Sequence, residues 1–148
     1  MTEPEEQKPK PNFLWSMVTM RCPRCRRGDM FKDNNPYKKL NLTHIFEMYD
    51  ECPVCGQKFD LEPGFWYGTG YISYGLFVVF SAITFFIWWA IIGISTEDNR
   101  VLYWLLINGL LIVVLQPWFM RFSRVVYLGI FVKYNNNYDT EEGKTFDF

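Results

Sequence analysis

All four cysteines of the chain fall into two Cys-Pro-x-Cys pairs, Cys22 with Cys25 and Cys52 with Cys55, with 26 residues between the pairs. Each C-x-x-C turn presents two thiolates from one tight knuckle. Two facing knuckles give the tetrahedral sulfur set that zinc prefers. Glycine follows each pair, Gly56 at once and Gly28 three residues on, and lets backbone N–H groups turn toward the sulfurs. Four sulfurs saturate the ion and leave no position for a catalytic water. The expected cofactor is therefore one structural zinc. The surrounding fifty or so residues hold few large aliphatics, so metal binding must supply part of their folding free energy.

Other chemistries suit these cysteines less well. A thioredoxin-like redox pair requires a βαβ setting, which the sequence lacks. Structural disulfides require an oxidising compartment. Transfer of a soft metal such as Cu(I) is an alternative suggested by Met17, Met20, Met30 and Met48, but methionines also pack small cores. The single histidine, His44, is a spare ligand at best beside four cysteines and reads more simply as a helix-side residue.

The elements behind these knuckles are set by where charge is missing. No charged residue lies between Glu62 and Glu97, and none between Arg100 and Arg121. A twenty-residue helix is about 30 Å long, the thickness of a bilayer's hydrocarbon core. The fold class expected is a membrane all-α protein. A two-helix transmembrane hairpin, spans 71–94 and 101–120 within 65–120, follows a small N-terminal four-cysteine zinc-ribbon domain at 12–64. Aromatic residues flank the spans at headgroup depth: Phe65, Trp66, Tyr67, Tyr71 and Tyr74 before the first, Tyr103, Trp104 and Trp118 at the ends of the second. Pro117 should kink or end span two. Residues 121–134 read as a separate C-terminal interfacial amphipathic helix, and 1–11 and 135–148 as polar, disordered tails. Within the head, short helices are expected over Phe13–Met20 and around Leu42 to Tyr49. No signal peptide is expected, since 1–11 has no apolar run.

Lys and Arg mark the cytoplasmic side. The turn between the spans has Arg100 beside Glu97 and Asp98. The flank of span two has Arg121, Arg124 and Lys133, and the head carries ten more basic residues. Both termini should face the cytoplasm, where thiols stay reduced. Arg21, Arg24, Arg26 and Arg27 form a basic cluster on the first knuckle. It suits anionic lipid headgroups or a protein partner, and less well nucleic acid. Arg121 and Arg124 are candidates for the same contacts. Asn108, an amide within span two, must face span one or another protein, and Thr84 and then Ser81 lie at matching depth. With Gly109 beside it, Asn108 is the candidate contact for a partner helix or a second copy. No catalytic triad, phosphate loop or intramembrane carboxylate is present, which points away from an enzyme.

Arg21-Cys22-Pro23-Arg24-Cys25, Gly28, Met30-Phe31, Met48-Tyr49, Cys52-Pro53-Val54-Cys55-Gly56, Glu62-Pro63-Gly64-Phe65, Tyr67-Gly68, Tyr71-Ile72-Ser73-Tyr74 and Arg121, Ser123-Arg124 together form a pattern. In this pattern, over about Phe13 to Tyr134, the chain resembles the domain-of-unknown-function 983 family of bacterial membrane proteins, nearest its Bacteroidetes-type branch. The resemblance implies a multi-pass protein of the bacterial inner membrane with no assigned reaction. It also implies a role as adaptor or assembly factor for a larger membrane complex, in some relatives linked to respiratory oxidases.

Overall fold

The computed structural model describes residues 9–38 and 41–143. Its frame is a helical hairpin. A short 3-10 turn, Phe65–Gly68, leads into one long helix, here α3, Thr69–Ile92. The returning helix, α4, covers Arg100–Phe131. From Phe65 the first runs 28 residues and the second 32, and both are long and apolar enough to cross a membrane. The most apolar stretch of the first has none of its residues buried within the chain. A soluble protein would cover such a helix.

Gly93 stops α3 because its φ of 78° is left-handed, a conformation glycine adopts without steric penalty. Arg100 then bonds back to the carbonyl of Ile92 at 2.9 Å and closes the turn. The helices meet along their length. Ser73 Oγ donates to Ser123 Oγ at 2.8 Å, and Phe77 and Phe80 pack edge-on against Phe119. Nearer the turn, Phe85 meets Trp104. At the opposite end Gly68 has no room for a side chain, because the Tyr127 hydroxyl fills that space.

The head hangs from the other end of this hairpin. Two short helices lie within it, α1 (Phe13–Val18) and α2 (Leu42–Ile45). Both are shorter than their apolar spacing suggests. Past α2 the chain is taken up by a single β-bridge, Phe31 to Met48, which leaves no room for further helical turns. Two more bridges, Arg21 to Asp29 and Glu51 to Lys58, close the arms of the two knuckles.

Several expectations change here. The helix does not end at Pro117, and 121–134 is not a separate surface helix. Instead α4 continues to Phe131, with Pro117, Phe119, Arg121, Ser123, Val125 and Leu128 buried. A proline in a helix costs about 3 kcal/mol. Packing on the far side outweighs it: Val125, Leu128 and Val132 share one core with Met20, Cys22, Cys25, Met30, Phe31, Cys52, Phe59 and Phe65. The expected division between 12–64 and 65–120 is thus a change of element and not a break between cores. Residues 135–143 are likewise no loose tail. They turn at Asn137–Thr140, bury Tyr138 in the same core and return to the knuckles. The expected tails at 1–8 and 144–148 lie outside the described residues.

Candidate metal centre

Each cysteine pair is shaped by its own backbone. In the first, Arg26 N–H bonds to the Cys22 carbonyl at 2.7 Å and Cys22 N–H to the Gly28 carbonyl at 2.8 Å. In the second, Gly56 N–H bonds to the Cys52 carbonyl and Cys52 N–H to the Gln57 carbonyl, both at 2.9 Å. The residue after each pair is left-handed: Arg26 at φ 56° and Gly56 at φ 67°. The tight turn aims both thiols of a pair to one side. Gly28 N–H also points at Cys25 Sγ, 3.4 Å away. A Cβ on Gly28 would collide with Cys52 Sγ, so glycine is what lets the two knuckles close together.

The four sulfurs lie within 4.8 Å of one another. Cys22 Sγ is 3.8 Å from Cys55 Sγ, and Cys25 Sγ is 3.7 Å from Cys52 Sγ. A tetrahedron with metal–sulfur bonds of about 2.3 Å has edges of about 3.8 Å. The donor set therefore fits a tetrahedral, thiolate-bound metal ion, and no disulfide joins the cysteines. The thiols also compete for charge. Hydrogen bonds from its sulfur neighbours, together with burial, push Cys22 well above the ordinary thiol range. Hydrogen bonding from Cys22 first of all holds Cys25 far below it and brings Cys52 down to about 7. Ionising all four sulfurs at this spacing would require a cation among them.

The basic residues divide. Arg24, read from sequence as a contact residue, is buried. It donates to the carbonyls of Cys55, Glu141 and Glu142, and its own carbonyl accepts Asn135 N–H. It clamps the C-terminal segment onto the knuckles. Arg26 is held between the rings of Phe13 and Tyr134 and bonds to the Pro11 carbonyl. Arg27 bonds to the Pro9 carbonyl. Arg21 bonds to the Arg27 carbonyl and is exposed.

Arg121 and Arg124 are not free either. Arg121 is wholly buried, stacked on Phe31, and bonds to the carbonyls of Ile45, Asp33 and His44. Burial lowers its pKa, and Asp33 opposes that. Arg124 lies over Phe46 and Trp66 and donates to Met48 Sδ at 3.0 Å. Burial pushes its pKa down to about 10, against the pull of Asp60. Both arginines fasten the head to α4. The signal was present in sequence as two arginines three apart on the face of Val125 and Leu128, but their acceptors were not. His44 is no ligand: its Nε2 pairs with Asp33 at 2.8 Å. That contact leads the causes that lower the Asp33 pKa.

Asn108 is also satisfied inside the chain. Its Oδ1 accepts from Thr84 Oγ1 at 3.0 Å and its Nδ2 donates to Ser81 Oγ at 3.1 Å. The two partners are those matched by depth, so the amide locks the hairpin. Met20 and Met30 are buried in the core, and Met48 is engaged by Arg124. The methionines pack the head.

No family model, curated protein or solved structure matches this chain.

Proposed function

We propose that the chain is a non-enzymatic membrane adaptor or assembly factor of the domain-of-unknown-function 983 type. A single structural zinc would be held by Cys22, Cys25, Cys52 and Cys55. The observation that carries this reading is the closed four-sulfur site, joined through Arg121 and the shared core to the base of an apolar hairpin. A saturated ion offers no reactive position, so its value is rigidity. A head fixed in orientation to two spans can present a surface at a set height above the membrane. The outer faces of both long helices are apolar and exposed, which suits lipid and the helices of a larger complex. The charge bias favours both termini in the cytoplasm, with the hairpin in a bacterial inner membrane.

The test is purification in mild detergent without added metal, with elemental analysis and identification of the membrane proteins that co-purify. One zinc per chain and a defined partner set, lost in Cys25→Ser, is the expected result. A folded head with no metal, or the same partner set with and without the metal, would overturn the reading.

A further inference from the structure

Four buried side-chain polar atoms have no hydrogen-bond partner among the described residues, and two of them are the indole Nε1 atoms of Trp88 and Trp104. Both tryptophans line one groove of about 320 Å³, Trp88 from α3 and Trp104 from α4. Apart from Thr84 and Asn108 its lining is apolar, with Ile87, Ile91, Ile107 and Leu111 along the walls. Ile87 and Ile91 are exposed, so the groove opens on the outside of the hairpin. Thr84 and Asn108 are already bonded to each other. The unmet demand is that of the two indoles. An indole N–H can only donate, so the groove calls for an acceptor.

We propose that this groove holds one diacyl lipid of the adjoining leaflet, whose ester carbonyls accept hydrogen bonds from Trp88 Nε1 and Trp104 Nε1. This rests on the membrane reading above and adds a ligand site to it.

Depth matches the ester. α3 ends at Ile92 and α4 begins at Arg100, and between them the chain reverses through Glu97 and Asp98. Glu97, Asp98 and Arg100 are all exposed. Exposed charges of this kind lie in water or among headgroups and not in lipid tails. Trp88 and Trp104 each stand four residues inside those helix ends, a rise of about 6 Å. The headgroup layer is about 5–8 Å deep, so the indoles reach the boundary where acyl chains begin. From Trp104 the groove runs inward to Leu111, about 10 Å further along α4, in the direction an acyl chain takes. An apolar partner helix fits less well. Its backbone carbonyls are committed to its own N–H ladder, so both indoles would stay unmet. A phosphate is not matched either, because the lining has no cation. Trp89, next in sequence, gives the contrast: its ring is exposed, whereas the nitrogens of Trp88 and Trp104 are covered.

The experiment compares two phosphatidylcholines of equal chain length, one with ester-linked chains and one with ether-linked chains, which lack the carbonyls. The full chain is reconstituted in nanodiscs holding equal parts of both. Lipid retained per chain is then read by native mass spectrometry after release into detergent. The ester lipid should be retained over the ether lipid by about tenfold, the worth of two neutral hydrogen bonds. The double variant Trp88→Phe, Trp104→Phe keeps aromatic rings, removes both donors and should bring the ratio near one. Trp89→Phe should leave the ratio unchanged. Equal retention of the two lipids, or a ratio that survives the double variant, overturns the proposal. So does a ratio that Trp89→Phe abolishes as well, which would make the preference a property of the surrounding lipid. Rapid exchange of both indole protons with D2O in ester nanodiscs would make water the acceptor. Efficient crosslinking of Ile91→Cys between two chains would make a second copy the occupant. Either result overturns the proposal. Insertion and zinc content are measured on each variant. Failure with insertion, zinc and the co-purifying set intact sinks this groove alone, whereas a chain that does not insert sinks the membrane reading itself.

Discussion

Gly28 and Gly56 stand in the two knuckles and are needed for different physical reasons. At Gly56 there is open space but a left-handed backbone. Its counterpart, Arg26, tolerates the same conformation, so Gly56→Ala should cost only about 1–2 kcal/mol. At Gly28 the obstacle is Cys52 Sγ itself, and a methyl group there must push the knuckles apart. Gly28→Ala should weaken metal retention far more than Gly56→Ala, which competition with a chromophoric chelator measures; equal loss in both would refute the spatial argument. The four ligands and the presence of glycine were legible in sequence because C-x-x-C spacing is a local rule. Which glycine answers to space and which to backbone was not, because the clash spans two knuckles distant in the chain. Arg24 was misread for the same reason. Its carbonyl partners in Glu141 and Glu142 lie 117 and 118 positions away.

Helices α3 and α4 were legible from charge-free length, and even their polar contact was, since few acceptors exist at the depth of Asn108. The fate of Pro117 was not. Local rules end a helix there, whereas burial of Val125 and Leu128 against the cysteine core carries it onward. Two predictions follow the same division. Asn108→Leu removes two interhelical bonds from a hairpin that other contacts also hold, so the loss should be about 0.6 kcal/mol per bond. Thermal unfolding in detergent should shift little and insertion not at all; a collapse of the hairpin would show that Asn108 does more than lock it. Arg121→Met is the opposite case. It leaves the buried Ile45 carbonyl without its donor, at about 1–3 kcal/mol, and removes the donor from the half-buried carbonyls of Asp33 and His44. Amide exchange over residues 31–38 and 41–48 should rise sharply while α3 is unchanged. Arg121→Lys, with a compact head in place of a fork, should restore only part of the protection.

At the scale of the whole molecule, the proposed reading makes the head depend on a bound metal and the spans of the hairpin not, so acid should separate them. The metal binds thiolates, and protons compete with it for all four sulfurs. A second group acts in the same direction. His44 first of all holds the Asp33 carboxyl below its ordinary range. A carboxylate with a lowered folded pKa contributes stability above its unfolded pKa and loses it as pH falls through the folded value. Asp33 and His44 also lend their carbonyls to Arg121, so acidification loosens the seam between head and α4 as the metal leaves. Helix α3 and the part of α4 before Pro117 satisfy their own backbone groups and need neither ion nor carboxylate, whereas α4 beyond Pro117 packs on the cysteine core. Lowering the pH, or adding a chelator at neutral pH, should therefore release the metal and raise amide exchange in residues 20–31 and 51–59. Residues 135–143 should follow, because they are held by Arg24 and by burial of Tyr138 beside the cysteines. Helix content by circular dichroism should largely persist, the loss being confined to the ten residues of α1 and α2 and to α4 beyond Pro117, against fifty-six residues in α3 and α4. A C-terminal segment that stays protected after metal loss would show that it docks independently of the site. Loss of the long helices in step with the metal would show that head and hairpin fold as one unit.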